Sequence, residues 1–262
     1  MASHRFYAAD LADATVTLGR QEAGHARKSL RLAPGDGVEL FDGRGTLASG
    51  RIIELTNQQL TIAIDRRWRV DPPRPALTVA AAVPKLARAD AMLDAAAQLG
   101  VDRLVPLITD RSVVDPGAKK LQRFERIAIE AAKQCGRAHV MTIDPPTRLV
   151  KLLDASAEGA ALRLIAVTPE RAGPASGNIP LQELQETTAP GEPWSRMSPY
   201  ESVVVLIGPE GGWTDAEHDA AEAAGYLRWC LGPHTLRVET AALAAAAVIR
   251  HRALTEIDRN GD

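Results

Sequence analysis

A glycine-rich turn, Gly208-Pro209-Glu210-Gly211-Gly212, is the stretch best suited to bind a ligand through the main chain. Glycine permits positive φ angles, and its missing side chain lets a ligand approach the backbone closely. A phosphate-binding loop would continue with Gly-Lys-Ser or Gly-Lys-Thr, and a dinucleotide-binding loop would read G-x-G-x-x-G, but this stretch has neither pattern. The turn therefore predicts either a backbone-lined pocket or a purely structural connection between a strand and a helix.

The elements on either side place this turn at the edge of a sheet. Val203–Ile207 is an apolar and mostly β-branched run, typical of a parallel strand that is buried on both faces. Thr214 and Glu217 have the spacing of a capping box that opens a helix, and Gly225 stands where that helix would end. Open α/β sheets bind ligands beyond the carboxyl ends of their strands, so the turn lies where a ligand site is expected.

A second loop is predicted at the same edge. Tyr226–Leu231 reads as a short strand, and Gly232-Pro233 ends it. An alanine-rich helix then begins at Glu239 or Thr240 and runs to about Leu254. Alanine is the best helix former, so this composition fits either close packing against another chain segment or an ordinary core helix.

A third loop begins at Thr168-Pro169, directly after a predicted strand at Ala161–Val167. It opens a long segment, residues 170–200, with little periodicity and a single predicted helical turn at Leu181–Glu186. Loops of this length are usually functional or mobile.

The rest of the chain divides into two regions. Earlier predicted elements of the second region are strands at 77–83, 103–108 and 140–143 and helices at 89–99, 119–136 and 148–155. This alternation predicts an α/β fold with a mostly parallel sheet. The first region has predicted strands at 4–8, 14–18, 38–41, 46–55 and 59–65 and a short helix at 22–30, which favours a small β-barrel. Arg66–Arg69 and the proline-rich Asp71–Pro75 predict a stiff linker, giving domains 1–71 and 75–262.

Composition excludes a uniformly basic nucleic-acid binder. The 262 residues are 45% hydrophobic and 24% charged with a formal net charge of −2, so nucleic-acid binding would need a local patch. Residues 1–75 have 11 Lys and Arg against 9 Asp and Glu, which places the basic bias in the N-terminal region.

Cys135 and Cys230 are too far apart in sequence for a metal cluster or a disulfide framework, and we expect both to be buried in a protein of a reducing compartment. With no signal sequence and no apolar run of membrane length, the chain is predicted to be soluble and cytoplasmic.

The motifs together resemble those of one family. IGPEGGWTDAE followed by LGPHTLRVETAALA resembles the C-terminal motif pair of the RsmE family, the 16S ribosomal RNA uridine-N3 methyltransferases of the SPOUT (trefoil-knot) class. The similarity extends through Lys85, Leu99–Val114 and Ile129–Arg137, and Ser29–Gly43 resembles the small barrel of the family. The resemblance implies a PUA-like RNA-binding β-barrel followed by a trefoil-knotted methyltransferase domain. It also implies a homodimer, because knotted enzymes of this class complete each site across a subunit interface.

The resemblance further implies S-adenosylmethionine as cofactor, held by the three loops. The expected cofactor-binding residues are Thr168, Pro169, Leu206, Ile207, Gly208, Pro209, Glu210, Gly211, Gly212, Leu231, Gly232, Thr235 and Leu236. The glycines would allow close approach, and the leucines and Ile207 would form apolar walls for the adenine. No metal is expected.

Catalytic and RNA-binding roles follow from the same resemblance. Arg237 is the expected contact to the uracil or its phosphate, and Glu239 either assists removal of the N3 proton or only caps the last helix. The expected RNA contacts are Arg5, His25, Arg27, Lys28, Arg31, Arg111, Gln134 and Arg137, although a solvated charged face explains any one of them. The expected substrate is 16S rRNA or the small ribosomal subunit.

The sequence departs from the family pattern at four positions. His234 stands where arginine is usual, and Val238 stands where threonine or another small residue is commoner. Ala95 and Gln98 replace a customary lysine and glutamate. These changes affect the expected RNA contacts and a nearby ion pair, but not the cofactor glycines.

Two other functions fit the same residues. A catalytically silent RNA-binding protein would keep the barrel and the knot without turnover. An unrelated α/β enzyme would handle a nucleotide or an acyl phosphate at the glycine turn.

Overall fold

The computed structural model describes residues 4–85, 87–155, 161–172 and 201–260. The chain forms two compact units, one from Met1–Pro72 with Ile129–Val140 and the other from Pro73–Ala128 with Met141–Asp262. Residues 129–140, which the predicted boundary assigned to the second domain, pack within the first unit. Ala132 and Ala138 of this segment are buried in one cluster with Phe41 and Leu47, and Nζ of Lys133 lies 2.9 Å from Oε1 of Glu22.

The first unit is built on a five-stranded sheet with the strand order β1-β3-β4-β5-β2. Its elements are β1 His4–Tyr7, β2 Thr15–Leu18, α1 Arg20–Gly24, a π-helical segment His25–Ser29, β3 Gly37–Phe41, β4 Thr46–Leu55 and β5 Leu60–Arg69. β1 pairs with β3 in parallel and the other pairs are antiparallel. The core contains Phe6, Leu40, Leu60 and Ile62, all fully buried.

The predicted end of the fifth strand was wrong. β5 does not stop at Asp65 but continues to Arg69, and residues 66–69 pair with residues 46–49 of β4. Trp68 supplies the physical reason, because it packs against a cluster that includes the buried Phe41 and Leu47. The backbone therefore stays in the ladder, and the segment 66–69 is not part of a linker.

The second unit is built on a seven-stranded sheet with the order β12-β10-β11-β6-β7-β8, in which β9 also pairs with β7. Its elements are β6 Ala76–Ala82, α2 Ala87–Gln98, β7 Arg103–Ile108, α3 Ala118–Cys135, β8 Thr142–Ile143, β9 Thr147–Arg148, α4 Leu149–Ala155, β10 Ala161–Val167, α5 Pro169–Ala172, β11 Ser202–Ile207, α6 Asp215–Ala223, β12 Leu227–Cys230 and α7 Val238–Asn260. Only residues 118–128 of α3 belong to this unit, because the rest of the helix belongs to the first. Every strand pair in this sheet is parallel, which confirms the predicted α/β class. β11 is central, as its apolar run predicted.

Two short elements of this unit were missed. β9 and α5 have two and four residues, and such lengths produce no hydrophobic periodicity to detect. The predicted helical turn at Leu181–Glu186 lies outside the described residues, as does the rest of the segment 173–200. The last helix starts at Val238, one residue before the earlier of the two predicted starts.

The cysteine prediction was wrong for one of the two residues. Cys135 is exposed at the end of α3, whereas Cys230 is partly buried, and both are free thiols. Among the described helices, none combines the length and the apolar character that crossing a membrane would require.

Candidate functional site

A cavity of about 310 Å³ lies at the carboxyl ends of β10 and β11, in the second unit. Because parallel strands end at the same edge, the loops after β10, β11 and β12 meet there. The lining residues come from these three loops, from the start of α7 and from the segment after β7: Arg111, Ala166, Val167, Thr168, Arg171, Ile207, Gly208, Pro209, Glu210, Gly211, Gly212, Trp213, Leu231, His234, Thr235, Leu236, Val238 and Ala241.

Most of the expected cofactor residues line this cavity. Those that do are Thr168, Ile207, Gly208, Pro209, Glu210, Gly211, Gly212, Leu231, Thr235 and Leu236. Pro169, Leu206 and Gly232 are not among the lining residues. Leu206 is fully buried in the core instead, because successive side chains of a strand point to opposite faces and its neighbour Ile207 lines the cavity.

The glycine turn is closed by its own backbone. The amide of Gly212 donates to the carbonyl of Pro209 at 2.8 Å, and Gly212 has a φ of 68°. A β-carbon on Gly208 would lie 2.8 Å from Cε2 of Trp213, so only glycine leaves room for the indole. Nε1 of Trp213 donates to the carbonyl of Ala166 at 2.9 Å, which ties the turn to the end of β10.

The predicted capping box is confirmed, and it does more than cap α6. Oγ1 of Thr214 accepts from the amide of Glu217 at 3.2 Å, and Oε2 of Glu217 accepts from the amide of Thr214 at 2.9 Å. Oε1 of the buried Glu217 accepts from the amide of Asp110 at 2.8 Å. One carboxylate therefore fixes both the end of the glycine turn and the loop after β7.

Arg111, expected as an RNA contact, contacts the glycine turn. Its Nη1 donates to the carbonyl of Gly211 at 2.8 Å, and a β-carbon on Gly211 would lie 3.3 Å from Cβ of Arg111. Arg111 and Gly211 are 100 residues apart in sequence, so no local pattern predicts this contact.

Arg88 was also missed by sequence reasoning. From the first turn of α2, its Nη1 lies 2.6 Å from Oε1 of Glu210 and 3.7 Å from Oε1 of Glu239. The hydrogen bond that Arg88 donates to Glu210 raises the pKa of Arg88 above its usual value. Arg88 thereby joins the glycine turn to the start of α7.

The two expected catalytic residues do not line the cavity. Val238 and Ala241 of α7 face it, whereas Glu239 points toward Arg88 and is only 17% exposed. Arg237 is exposed directly before α7, and its side chain has no ion pair within the described part of the chain. The structure thus brings Glu239 to α2 and leaves Arg237 open to solvent.

Ala166, Val167, Arg171 and Trp213 were likewise not expected at the cavity. Each of them lies within two positions of an expected residue, so widening each predicted loop by two residues would have found them. Arg171 lies in α5, and its Nη2 donates to Oδ1 of Asp215 at 2.8 Å.

A second, basic cavity of about 740 Å³ lies in the first unit. Its lining residues are Arg20, Gln21, Gly24, Arg27, Lys28, Asn57 and Gln58, and this described lining contains no acidic residue. Part of it belongs to the π-helical segment His25–Ser29, and π-helical turns are frequently found at functional sites.

The remaining expected RNA contacts have different surroundings. His25 is exposed on the π-helical segment, and the exposed Arg31 has an unusual φ of 56°. Gln134 is exposed near the end of α3. Arg5 is not available to a phosphate, because its side chain is 9% exposed and its Nε lies 2.6 Å from Oε1 of Glu39.

Arg137 is half-buried in the first unit, and its carbonyl accepts from Nη1 of Arg5 at 3.3 Å. Gln134 also belongs to the first unit, whereas Arg111 belongs to the second.

A third cluster surrounds the buried His218 on α6. Ligand atoms of His218, Asp219 and Glu222 lie within 4.8 Å of one another. Nη2 of Arg228 donates to Oε2 of Glu222 at 3.0 Å, and this nearby cation opposes binding of a metal ion. Burial, followed by the charge of Arg228, lowers the pKa of His218 below its usual value.

Comparison with known proteins matches both units. A family profile described as an RNA methyltransferase domain matches residues 71–250, and one described as an RNA methyltransferase PUA domain matches residues 18–65. The chain is 30% identical over 237 residues to ribosomal RNA small subunit methyltransferase E of Synechocystis sp., covering 90% of this chain and 73% of that protein. It is 29% identical over 268 residues to the protein of the same name from Mycobacterium bovis, covering 95% and 92%.

Solved structures agree. A crystal structure of ribosomal RNA small subunit methyltransferase E from Neisseria gonorrhoeae, bound to S-adenosyl methionine, has a TM-score of 0.79 at 29% identity, covering 95% of this chain and 98% of that one. A methyltransferase structure from Legionella pneumophila in complex with the cofactor has a TM-score of 0.76 at 26% identity, covering 96% and 98%. The predicted fold, a SPOUT methyltransferase domain with an N-terminal PUA-like domain, is confirmed. The chain belongs to the RNA methyltransferase family that includes the ribosomal RNA small subunit methyltransferases E.

Proposed function

We propose that this protein transfers a methyl group from S-adenosylmethionine to N3 of a uracil in 16S ribosomal RNA. The names of its relatives and the cofactor bound to its structural neighbours support this assignment. The observation that carries the proposal is the cavity at the carboxyl ends of β10 and β11, where three loops meet and glycine backbone forms much of the wall.

The residues of the cavity fit this cofactor. Gly208 leaves room for the indole of Trp213 and Gly211 leaves room for the side chain of Arg111, so both glycines let the turn adopt the shape that lines the cavity. The described lining contains no lysine to bind a phosphate. S-adenosylmethionine has no phosphate, so main-chain donors and acceptors suffice. The backbone of 207–212 would hold its polar groups, and Leu231 and Leu236 would contact the adenine. When bound, the cofactor supplies an electrophilic methyl group on a sulfonium.

The chain would contribute mainly positioning, since methyl transfer is an in-line displacement. Arg237 is the residue we assign to the uracil oxygens or the adjoining phosphate, because it is exposed next to Leu236 at the cavity. Glu239 is assigned to positioning, because it is held by Arg88 and does not line the cavity.

RNA binding is assigned to the basic cavity of the first unit. Arg20, Arg27 and Lys28 would neutralise phosphates, which position an RNA without specifying its sequence. The amides of Gln21, Asn57 and Gln58 would hydrogen-bond to ribose or base edges. N3 of uracil takes part in base pairing, so the target base must be single-stranded or flipped out. We further propose a homodimer that acts in the cytoplasm and needs no metal.

Nucleoside mass spectrometry tests this proposal. The full chain is incubated with S-adenosylmethionine that carries a deuterated methyl group and with small ribosomal subunits from a strain that lacks its gene. We expect labelled N3-methyluridine, together with a reverse-transcription stop at a single uridine, because the methyl group blocks the pairing edge. Absence of label with intact RNA binding would favour the catalytically silent alternative, and label on a ribose or on another base atom would contradict the N3 assignment.

A further inference from the structure

The side chain of Arg111 lies across the glycine turn of the cofactor cavity. Its Nη1 donates to the carbonyl of Gly211 at 2.8 Å, and a β-carbon on Gly211 would lie 3.3 Å from Cβ and 3.4 Å from Cδ of Arg111. The stem of the arginine therefore occupies the space that the glycine leaves free. Both residues line the cavity, so the guanidinium is held at its wall.

The backbone on both sides of Arg111 is fixed as well. The amide of Asp110 donates to Oε1 of the buried Glu217 at 2.8 Å. The amide of Ser112 donates to the carbonyl of Thr109 at 3.1 Å, and Oγ of Ser112 accepts from the amide of Thr109 at 2.9 Å. The loop thus positions Arg111 before a ligand binds, which lowers the entropy cost of using its side chain.

Arg111 also carries a charge that no carboxylate of the cavity balances. Glu210 is the one carboxylate among the described lining residues, and Arg88 already pairs with it at 2.6 Å. Arg171, the other arginine of the lining, pairs with Asp215 at 2.8 Å. Within the described part of the chain Arg111 makes no ion pair, because the group beside its Nη1 is a neutral carbonyl. One positive charge is therefore left over at the wall.

The proposed methyl donor has one anionic group, the carboxylate of its amino-acid part. Its sulfonium and its ammonium are positive, so neither of them is attracted to an arginine. The main-chain amides of the turn are neutral donors, and a hydrogen bond between two charged groups is roughly twice as strong as one between neutral groups. A guanidinium has further N–H groups besides the one that Arg111 donates to Gly211, and these can bind a carboxylate.

We propose that Arg111 binds the carboxylate of the methyl donor and so orients the amino-acid part of the donor in the cavity. This inference rests on the proposed cofactor and adds one charged contact to the main-chain contacts assigned above. A guanidinium at this place also suits an RNA phosphate, but Arg111 is held against the turn that lines the cofactor cavity, which favours the donor. His234 is the remaining basic side chain of the described lining, so the experiment includes it.

Calorimetric titration of the full chain at pH 7.5 tests the inference without measuring turnover. The two ligands are S-adenosylmethionine and its decarboxylated analogue, which keeps the sulfonium and the amine but lacks the carboxylate. We expect the unmodified protein to bind the donor about fivefold more tightly than the analogue, as for a partly exposed ion pair, and high salt to reduce this preference. In Arg111→Gln the preference should fall below about twofold, even if the affinity for both ligands is lower.

Matched variants separate the charge from the support of the turn. Arg111→Lys keeps a positive charge and should keep part of the preference. Arg171→Gln removes the lining arginine that Asp215 already pairs with, so the preference should stay at about fivefold. His234→Gln should also leave the preference unchanged.

Each outcome decides between the assignments. If Arg111→Gln keeps the preference, or if the unmodified protein binds both ligands equally, the inference is overturned while the proposed cofactor stands. Loss of the preference in His234→Gln alone would assign the carboxylate to the imidazole and overturn the inference as well. Weaker RNA binding by Arg111→Gln with an unchanged preference would assign the guanidinium to a phosphate, with the same consequence. If the unmodified protein binds neither ligand, the proposed function itself fails, and the inference fails with it.

Discussion

The indole of Trp213 lies directly over the α-carbon of Gly208, so closely that a β-carbon at residue 208 would be 2.8 Å from Cε2 of the ring. The ring cannot withdraw freely, because Nε1 of Trp213 donates to the carbonyl of Ala166 at 2.9 Å. This contact connects the loop after β11 with the end of β10, and both line the cavity. The shape of the cavity therefore depends on one glycine.

We expect Gly208→Ala to lower the free energy of unfolding by about 1 to 3 kcal/mol, the usual cost of overpacking, and to abolish cofactor binding. Urea unfolding and calorimetric titration measure the two effects. Gly117→Ala is the matched control, because a β-carbon there meets nothing within 4 Å and the backbone needs no positive φ. Unchanged cofactor affinity in Gly208→Ala would contradict the assignment of the cavity.

The capping box at the start of α6 gives a second prediction. Thr214→Ala removes the side-chain acceptor for the amide of Glu217 and should lower the free energy of unfolding by about 1 kcal/mol. Thr214→Ser keeps the hydroxyl and should cost much less. Equal losses in the two variants, measured by urea unfolding, would show that the methyl group of Thr214 and not its oxygen stabilises the helix.

Local signals in the sequence were enough to predict β11, the glycine turn and the capping box. Each of these features depends on residues that are close in sequence, such as Thr214 and Glu217. The contacts that shape the cavity join distant residues, as Arg88 and Glu210 do across 122 positions. No periodicity encodes such pairs. The exclusion of Leu206 from the cavity could have been predicted, since side chains alternate along a strand.

The continuation of β5 to Arg69 is a feature that local sequence signals predicted wrongly. Its charged residues favour a solvent-exposed linker, yet Trp68 packs against the cluster that contains Phe41, and the ladder with β4 continues. Tertiary packing decided the conformation where local composition pointed elsewhere.

Stability should depend on pH through His218. Burial and Arg228 hold its folded-state pKa below the unfolded value, so the folded protein prefers the neutral imidazole. The contribution of the neutral imidazole to the free energy of unfolding is fully present above the ordinary histidine pKa. It is lost as the pH falls toward and through the pKa of His218 in the folded protein. The charges of Glu222 and Asp219 act to raise the pKa of His218, and the charge of Arg171 acts to lower it further.

Urea unfolding at pH 7.5 and 5.5 measures the effect. We expect the unmodified protein to lose more stability on acidification than His218→Gln, by at most about 1.4 kcal/mol per pH unit. Parallel losses in the two proteins would mean that other groups cause the dependence.

RNA binding should depend on the basic cavity of the first unit. Arg27→Gln removes one of its cations and should weaken binding to small-subunit RNA severalfold, while reducing the slope of log affinity against log salt by about one. Arg51→Gln is the control, because Arg51 is an exposed arginine of the same unit whose Nε lies 3.6 Å from Oδ2 of Asp65. If filter binding over a salt series gives the two variants the same slope, RNA does not use this cavity.

A crystal structure of the full chain with S-adenosylmethionine tests the central claim most directly, namely that backbone from three loops forms the methyl-donor site. We predict density for the cofactor in the cavity, with hydrogen bonds to the main chain of 207–212 and 231–236. Density at another place on the protein, with this cavity left empty, would contradict the account.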